Sequence, residues 1–218
     1  MKALRSKLLR FGVRGIAAIV LCTTHLCAQE IQPVINGDGV GDQEFPWMAS
    51  LVFTGDDPSE TSIFCGATLI TDRYVLTAAH CVEGLAAQDI QVVLGRNFLS
   101  APTGEIVSAD SILVHPKYWE EGIAISYDIA LIKLSRSVSY QPIAIQESVI
   151  PDEQKPELSA TVLGWGQLDA EYPVLPDELQ KAQIPLINDT ECKDSLGLSY
   201  DPETMLCAGL LSSAPNSG

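Results

Sequence analysis

The chain has 218 residues, with 28 acidic against 13 basic side chains and a formal net charge of −15 at pH 7. A surface that acidic repels phosphate backbones and anionic headgroups, which argues against nucleic-acid binding and a basic membrane anchor. At 46% hydrophobic and 19% charged residues, the composition is too apolar for a disordered acidic tail, so a packed core is expected.

In chain order, the first signal is an export leader over residues 1–28. Lys2, Arg5, Lys7, Arg10 and Arg14 stand there without a single acid, and residues 15–22 follow as an apolar stretch. That stretch is far short of the roughly 20 residues a membrane span requires, and a small-residue cleavage site follows it, after Ala28. Removing the leader leaves eight basic residues against 28 acids, a net −20. No later segment approaches spanning length, so the protein is expected to be secreted, into an extracellular or periplasmic space.

Short β-branched runs then recur between Gly, Pro, Asp and Asn punctuation, at 74–77, 90–94, 112–114, 129–134, 160–163 and 181–187. Strands at that spacing predict an all-β barrel or sandwich. Helix signals are confined to a turn around 78–82 and to residues 190–196, which Asn188 or Asp189 caps. Residues 55–60 read as a surface loop. Residues 146–157 are acidic and carry prolines between two strand signals, and they divide the mature chain into a larger and a smaller part.

Cys22 and Cys27 leave with the leader, so Cys65, Cys81, Cys192 and Cys207 remain. Four cysteines permit three pairings and sequence alone does not choose among them, although the spacing favours two local loops, Cys65 with Cys81 and Cys192 with Cys207. Each such loop would stabilise by roughly 3 kcal/mol. Zinc is the competing use of these residues. It is disfavoured because no CxxC or HxxxH spacing accompanies them and an oxidising compartment favours disulfides.

Only His80 and His115 survive removal of the leader. His80 follows Leu76-Thr-Ala-Ala79 and is bonded to Cys81. Small alanines let a backbone pass close behind the imidazole, and a disulfide at the next residue fixes where the ring points, which suits proton transfer near neutral pH. His115, in Val114-His-Pro-Lys-Tyr118, reads as a surface or packing residue. Asp128 heads an apolar run, Ile129-Ala-Leu-Ile-Lys-Leu134. A strand entering the core draws that carboxylate toward low dielectric, where it needs a partner, and a histidine N–H is one. A turn or cap aspartate is the alternative.

These segments together resemble the chymotrypsin-like (trypsin-like) serine endopeptidases from Val34 onward. Val34-Ile-Asn-Gly37, Phe45-Pro-Trp-Met-Ala-Ser-Leu51, Phe64-Cys-Gly-Ala-Thr-Leu-Ile70, Leu76-Thr-Ala-Ala-His-Cys81, Asp128-Ile-Ala-Leu-Ile-Lys-Leu134, Leu163-Gly-Trp-Gly166 and Met205-Leu-Cys-Ala-Gly209 follow in the family's order. The resemblance implies two antiparallel six-stranded β-barrels with a cleft between them. The first would span 34–145, a linker 146–158, and a second, incomplete barrel 159–218. It implies His80 as general base and acid, Asp128 as the group that orients it, and disulfides Cys65–Cys81 and Cys192–Cys207. Protein or peptide substrates, no cofactor and a monomeric state go with it. Residues 29–33 become a short pro-segment, removed by an activating protease so that Val34 is the new N-terminus.

The family's nucleophile departs from this pattern. Its Gly-Asp-Ser-Gly-Gly block lies beyond the Cys-Ala-Gly motif and is not found among the 218 residues; Ser212, Ser213 and Ser217 read as loop serines. The expectation is a fragment of a secreted endopeptidase that ends before its serine. Alone it would be inactive, because the remaining groups supply at most ~10³–10⁴-fold acceleration over water. The alternative is a catalytically inactive homologue acting as a binding or regulatory module. Arg96 stands after Leu94-Gly95, where some family members place an acidic calcium ligand; a guanidinium offers no oxygen, so no metal is expected.

Overall fold

Along residues 130–134, buried Ala130, Ile132 and Leu134 alternate with half-buried Leu131 and Lys133. This is the period-2 pattern of a strand with one face on a core. The computed structural model describes residues 38–209 apart from 42, 60, 61, 123 and 168–174. The leader, the pro-segment, Val34 and the serines at 212, 213 and 217 therefore lie outside the described residues. Within them run β1 (Asp38–Gly39), β2 (Met48–Phe53), β3 (Ile63–Thr71), β4 (Tyr74–Thr77), β5 (Ile90–Leu94), β6 (Glu105–Val114), β7 (Trp119–Glu121) and β8 (Ala124–Ser126). Then follow β9 (Ala130–Leu134), β10 (Ser159–Gly164), β11 (Gln180–Pro185) and the helix α1 (Asp189–Leu196).

The fold is all-β. Six strands close into an antiparallel barrel in the order β2-β3-β4-β9-β6-β5. Leu51, Leu69, Val75, Ile90, Val92, Leu94, Ile132 and Leu134 point into it and are fully buried. Closure pairs every strand on both sides and leaves no free edge. The second half is smaller: β1, β11 and β10 form a three-stranded sheet, with residues 38–39 crossing over to pair with 180–181. Among the described residues no helix is long and apolar enough to cross a membrane.

The two halves meet at the loop 95–104. The Asn97 carbonyl accepts from Leu179 N at 2.7 Å and Trp165 Nε1 at 3.2 Å, while Asn97 Nδ2 donates to the Val40 carbonyl at 2.6 Å. Ser100 donates through N and Oγ to the two carboxylate oxygens of Asp177, at 2.7 and 2.6 Å. Those two bonds hold the Asp177 carboxyl below its usual pKa. Val40, Met48, Leu99, Trp165 and Leu179 bury a small apolar cluster behind the joint. Arg96 organises the loop itself. Its guanidinium donates to the Thr103 carbonyl at 3.0 Å, the Pro58 carbonyl at 3.0 Å and the Leu99 carbonyl at 2.8 Å.

The turn expected at 78–82 is present as a single turn: Val82 N and Glu83 N both donate to the Ala79 carbonyl, and the chain then leaves through Gly84 at φ +75°. Two other local expectations are corrected. Ile129 is outside the strand, because its N–H is taken by the Tyr127 carbonyl. The strand expected at 112–114 begins at Glu105, where Ser108, Asp110 and Ser111 hide its apolar signal. The segment 146–157 contains a 3-10 helix, Asp152–Glu157, in which Lys155 is buried against α1.

Candidate active site

Antiparallel register brings the two predicted residues together. Strands β4 and β9 pair Thr77 with Ala130. His80, three residues past the end of one, and Asp128, two residues before the start of the other, therefore leave the barrel at the same rim. Ala79 is fully buried and anchors the chain on one side of His80, and the Cys65–Cys81 disulfide ties it to β3 on the other.

The contact has two points. The His80 backbone N–H donates to Asp128 Oδ1 at 2.9 Å, and His80 Nδ1 lies 2.7 Å from Asp128 Oδ2. A carboxylate only accepts, so this arrangement assigns the proton to Nδ1 and leaves the Nε2 lone pair free. The imidazole side chain is 52% exposed, the carboxylate 26%. Nε2 lies 3.5 Å from Cys81 Sγ, which carries no proton because it is part of the disulfide. An imidazole so held accepts a proton at Nε2 while the carboxylate stabilises the cation that forms.

Tyr118 lies beside the pair and packs on the barrel core, its hydroxyl donating to Glu120 at 2.6 Å. Burial first, then that hydrogen bond, and then the charges of Glu120, Asp128 and Glu83 push its pKa well up, so it stays a neutral donor. Nothing in the sequence singled it out. His115 stacks on Tyr127, the residue before Asp128.

Cys65, His80 and Cys81 form the one group of potential metal ligands found among the described residues. Their two sulfurs are bonded to each other, which leaves one imidazole nitrogen and no thiolate. Cys192 and Cys207 form the second disulfide, which joins α1 to the segment before Ala208. Both pairs are the local loops that the spacing favoured.

A closed antiparallel barrel with an imidazole–carboxylate pair at its open rim defines a class, the chymotrypsin-like serine proteases. The trypsin family model matches residues 34–218. The chain is 35% identical over 179 residues to a trypsin of Saccharopolyspora erythraea, covering 81% of this chain and 74% of that one. It is 34% identical over 184 residues to bovine chymotrypsin-C, covering 81% and 65% respectively. Among solved structures, neuropsin, a serine protease expressed in the limbic system of mouse brain, superimposes with a TM-score of 0.68 at 26% identity, covering 83% of this chain and 77% of that one. The chain belongs to the trypsin family. It spans about two thirds to three quarters of the length of these curated relatives.

Proposed function

We propose that the full-length protein is a secreted serine endopeptidase that hydrolyses peptide bonds by acyl transfer. His80 acts as general base toward a serine supplied outside the 218 residues, then as acid toward the leaving amine. Asp128 keeps its tautomer and orientation. The observation that carries this reading is the 2.7 Å contact between His80 Nδ1 and Asp128 Oδ2. Two disulfides fit an exported protein, and the leader at 1–28 supplies the address.

A fluorophosphonate probe on the full-length product tests the reading. The expected result is one labelled serine beyond residue 218, with labelling lost in His80→Ala. A folded full-length protein that takes no label is instead an inactive homologue. Activation is assigned to another protease that cuts after Pro33 and frees the Val34 amine; N-terminal sequencing of active enzyme that returns Gln29 rules this out.

A further inference from the structure

We propose that Tyr127 and His115 form a brace that positions Asp128 against His80; the proposal rests on the reading above that this pair transfers the proton. Tyr127 has φ +52°, the left-handed region that bulky side chains rarely adopt. It is also joined directly to the residue whose carboxylate holds the imidazole. A backbone conformation of that kind persists only where surrounding contacts over-determine it.

Several contacts do so here. Ile129 N donates to the Tyr127 carbonyl at 2.7 Å, closing a three-residue turn with Asp128 at its centre. The imidazole of His115 lies parallel to the Tyr127 ring, 4.7 Å between centroids and 2° between planes. The Lys117 ammonium stands 5.2 Å from the centre of the same ring. His115 N donates to the Ile129 carbonyl at 3.0 Å, so the stacking partner is itself tied to the far side of the turn. On the other flank, Ser126 Oγ reaches Asp201 Oδ2 and Thr204 Oγ1, each at 3.4 Å.

The geometry gives this brace a task beyond packing. Neither ring joins the apolar core of the barrel. Both act on the turn that aims Asp128. If Tyr127 relaxed to the extended or right-handed region, the peptide carrying Asp128 would rotate, and the two-point hold on His80 would be lost. A misplacement of about 1 Å at a reacting group can cost on the order of a hundredfold in rate, so a small rotation suffices.

The test uses the full-length enzyme and three variants. Tyr127→Gly removes the ring and is at ease at this φ, so it adds no strain. His115→Ala removes the stacking partner, and Tyr127→Phe keeps the ring. We expect the first two to lower kcat by about tenfold or more while KM stays within about twofold, and the third to return most of the loss. The NMR resonance of the His80 Nδ1 proton, held by Asp128, should broaden or move in the first two and persist in the third. Unchanged kcat and an unchanged resonance in both ring-removing variants would overturn the brace. So would a loss of rate with the resonance intact. If the parent labels with no serine probe and cleaves no peptide, the proposed function fails, and the Nδ1 resonance alone decides the brace.

Discussion

The closed barrel and the three-stranded sheet are built from similar alternating strands but are held together differently. Inside the barrel, buried Leu, Ile and Val side chains supply nearly all the cohesion, and every strand is paired on both sides. The second half buries fewer large apolar side chains, chiefly Trp165, Leu179, Leu186, Ile187 and Tyr200 among its described residues. Beside the Cys192–Cys207 disulfide, which matches Cys65–Cys81 at the barrel, it has a charge cluster around buried Lys155. Lys155 pairs with Asp189 and with Asp152 at 3.1 Å, the Tyr200 hydroxyl donates to Asp189 at 2.5 Å, and Asp189 N donates to Asp152 at 2.7 Å. Both His80 and Asp128 emerge from the barrel. The half with the stronger core therefore carries both residues, and the second half meets it at residues 95–104 and at Ser126, which contacts Asp201 and Thr204.

This contrast is open to direct attack. The largest effect is expected inside the barrel: Leu69→Ala, at a fully buried site, should destabilise by about 3 kcal/mol, read from denaturant midpoints. A loss under about 1 kcal/mol would mean that the barrel is held chiefly by something other than its apolar core.

A second, smaller effect should appear in the other half. Lys155→Met strips Asp189 and Asp152 of their cation and should cost about 2 kcal/mol near neutral pH. The pH dependence has a definite sign. Hydrogen bonds from Lys155 and then Tyr200 hold the Asp189 carboxyl below its usual range. Its contribution is therefore present above the unfolded value of about 3.9 and lost as pH falls through the lower folded value. For Lys155, burial opposes the charge, but its bonds to Asp189 and Asp152 outweigh that and raise its pKa. That contribution is present below about 10.4 and lost as pH rises through the higher folded value. Burial, and then the bond to Asp189, push Tyr200 up to about 12, so its phenol stays a donor throughout this window. Parent and Lys155→Met melting temperatures should thus differ most in the neutral range and converge in strong acid. A gap that stays constant down to pH 2 would refute the charge assignment.

The smallest effect tests the joint. Arg96→Ala leaves three loop carbonyls without their donor and should lower stability by about 1 kcal/mol, with faster hydrogen exchange concentrated at 95–104 and at 177–180. Equal exchange in both proteins would show that the loop is ordered without the guanidinium.

Much of the fold was legible from local pattern. The runs at 74–77 and 90–94 coincide with strands, and Asn188 caps α1 by accepting from Glu191 N at 2.8 Å. His80 and Asp128 were visible as candidates because a histidine bonded to a cysteine and an aspartate heading an apolar run are unusual neighbours. Other residues gave no such sign. A lysine beside prolines and acids, such as Lys155, reads as solvated, and only packing against α1 buries it. Tyr127 carries no mark of its left-handed backbone, since neither Gly nor Asn stands there. Arg96 announced what it does not offer a metal, but not the carbonyls it binds.

Period, punctuation and residue chemistry act over a few neighbours, and so the order of residues alone pointed to six of the eleven described strands in whole or part, the capped helix, the candidate disulfides and the two chemical groups. Contacts between residues far apart in the chain were decided elsewhere. His80 and Asp128 are 48 positions apart, and their 2.7 Å contact exists because barrel closure sets β4 against β9 in one register. A slip of one residue would turn every side chain of the strand to the opposite face, and only burial of the whole core selects against it.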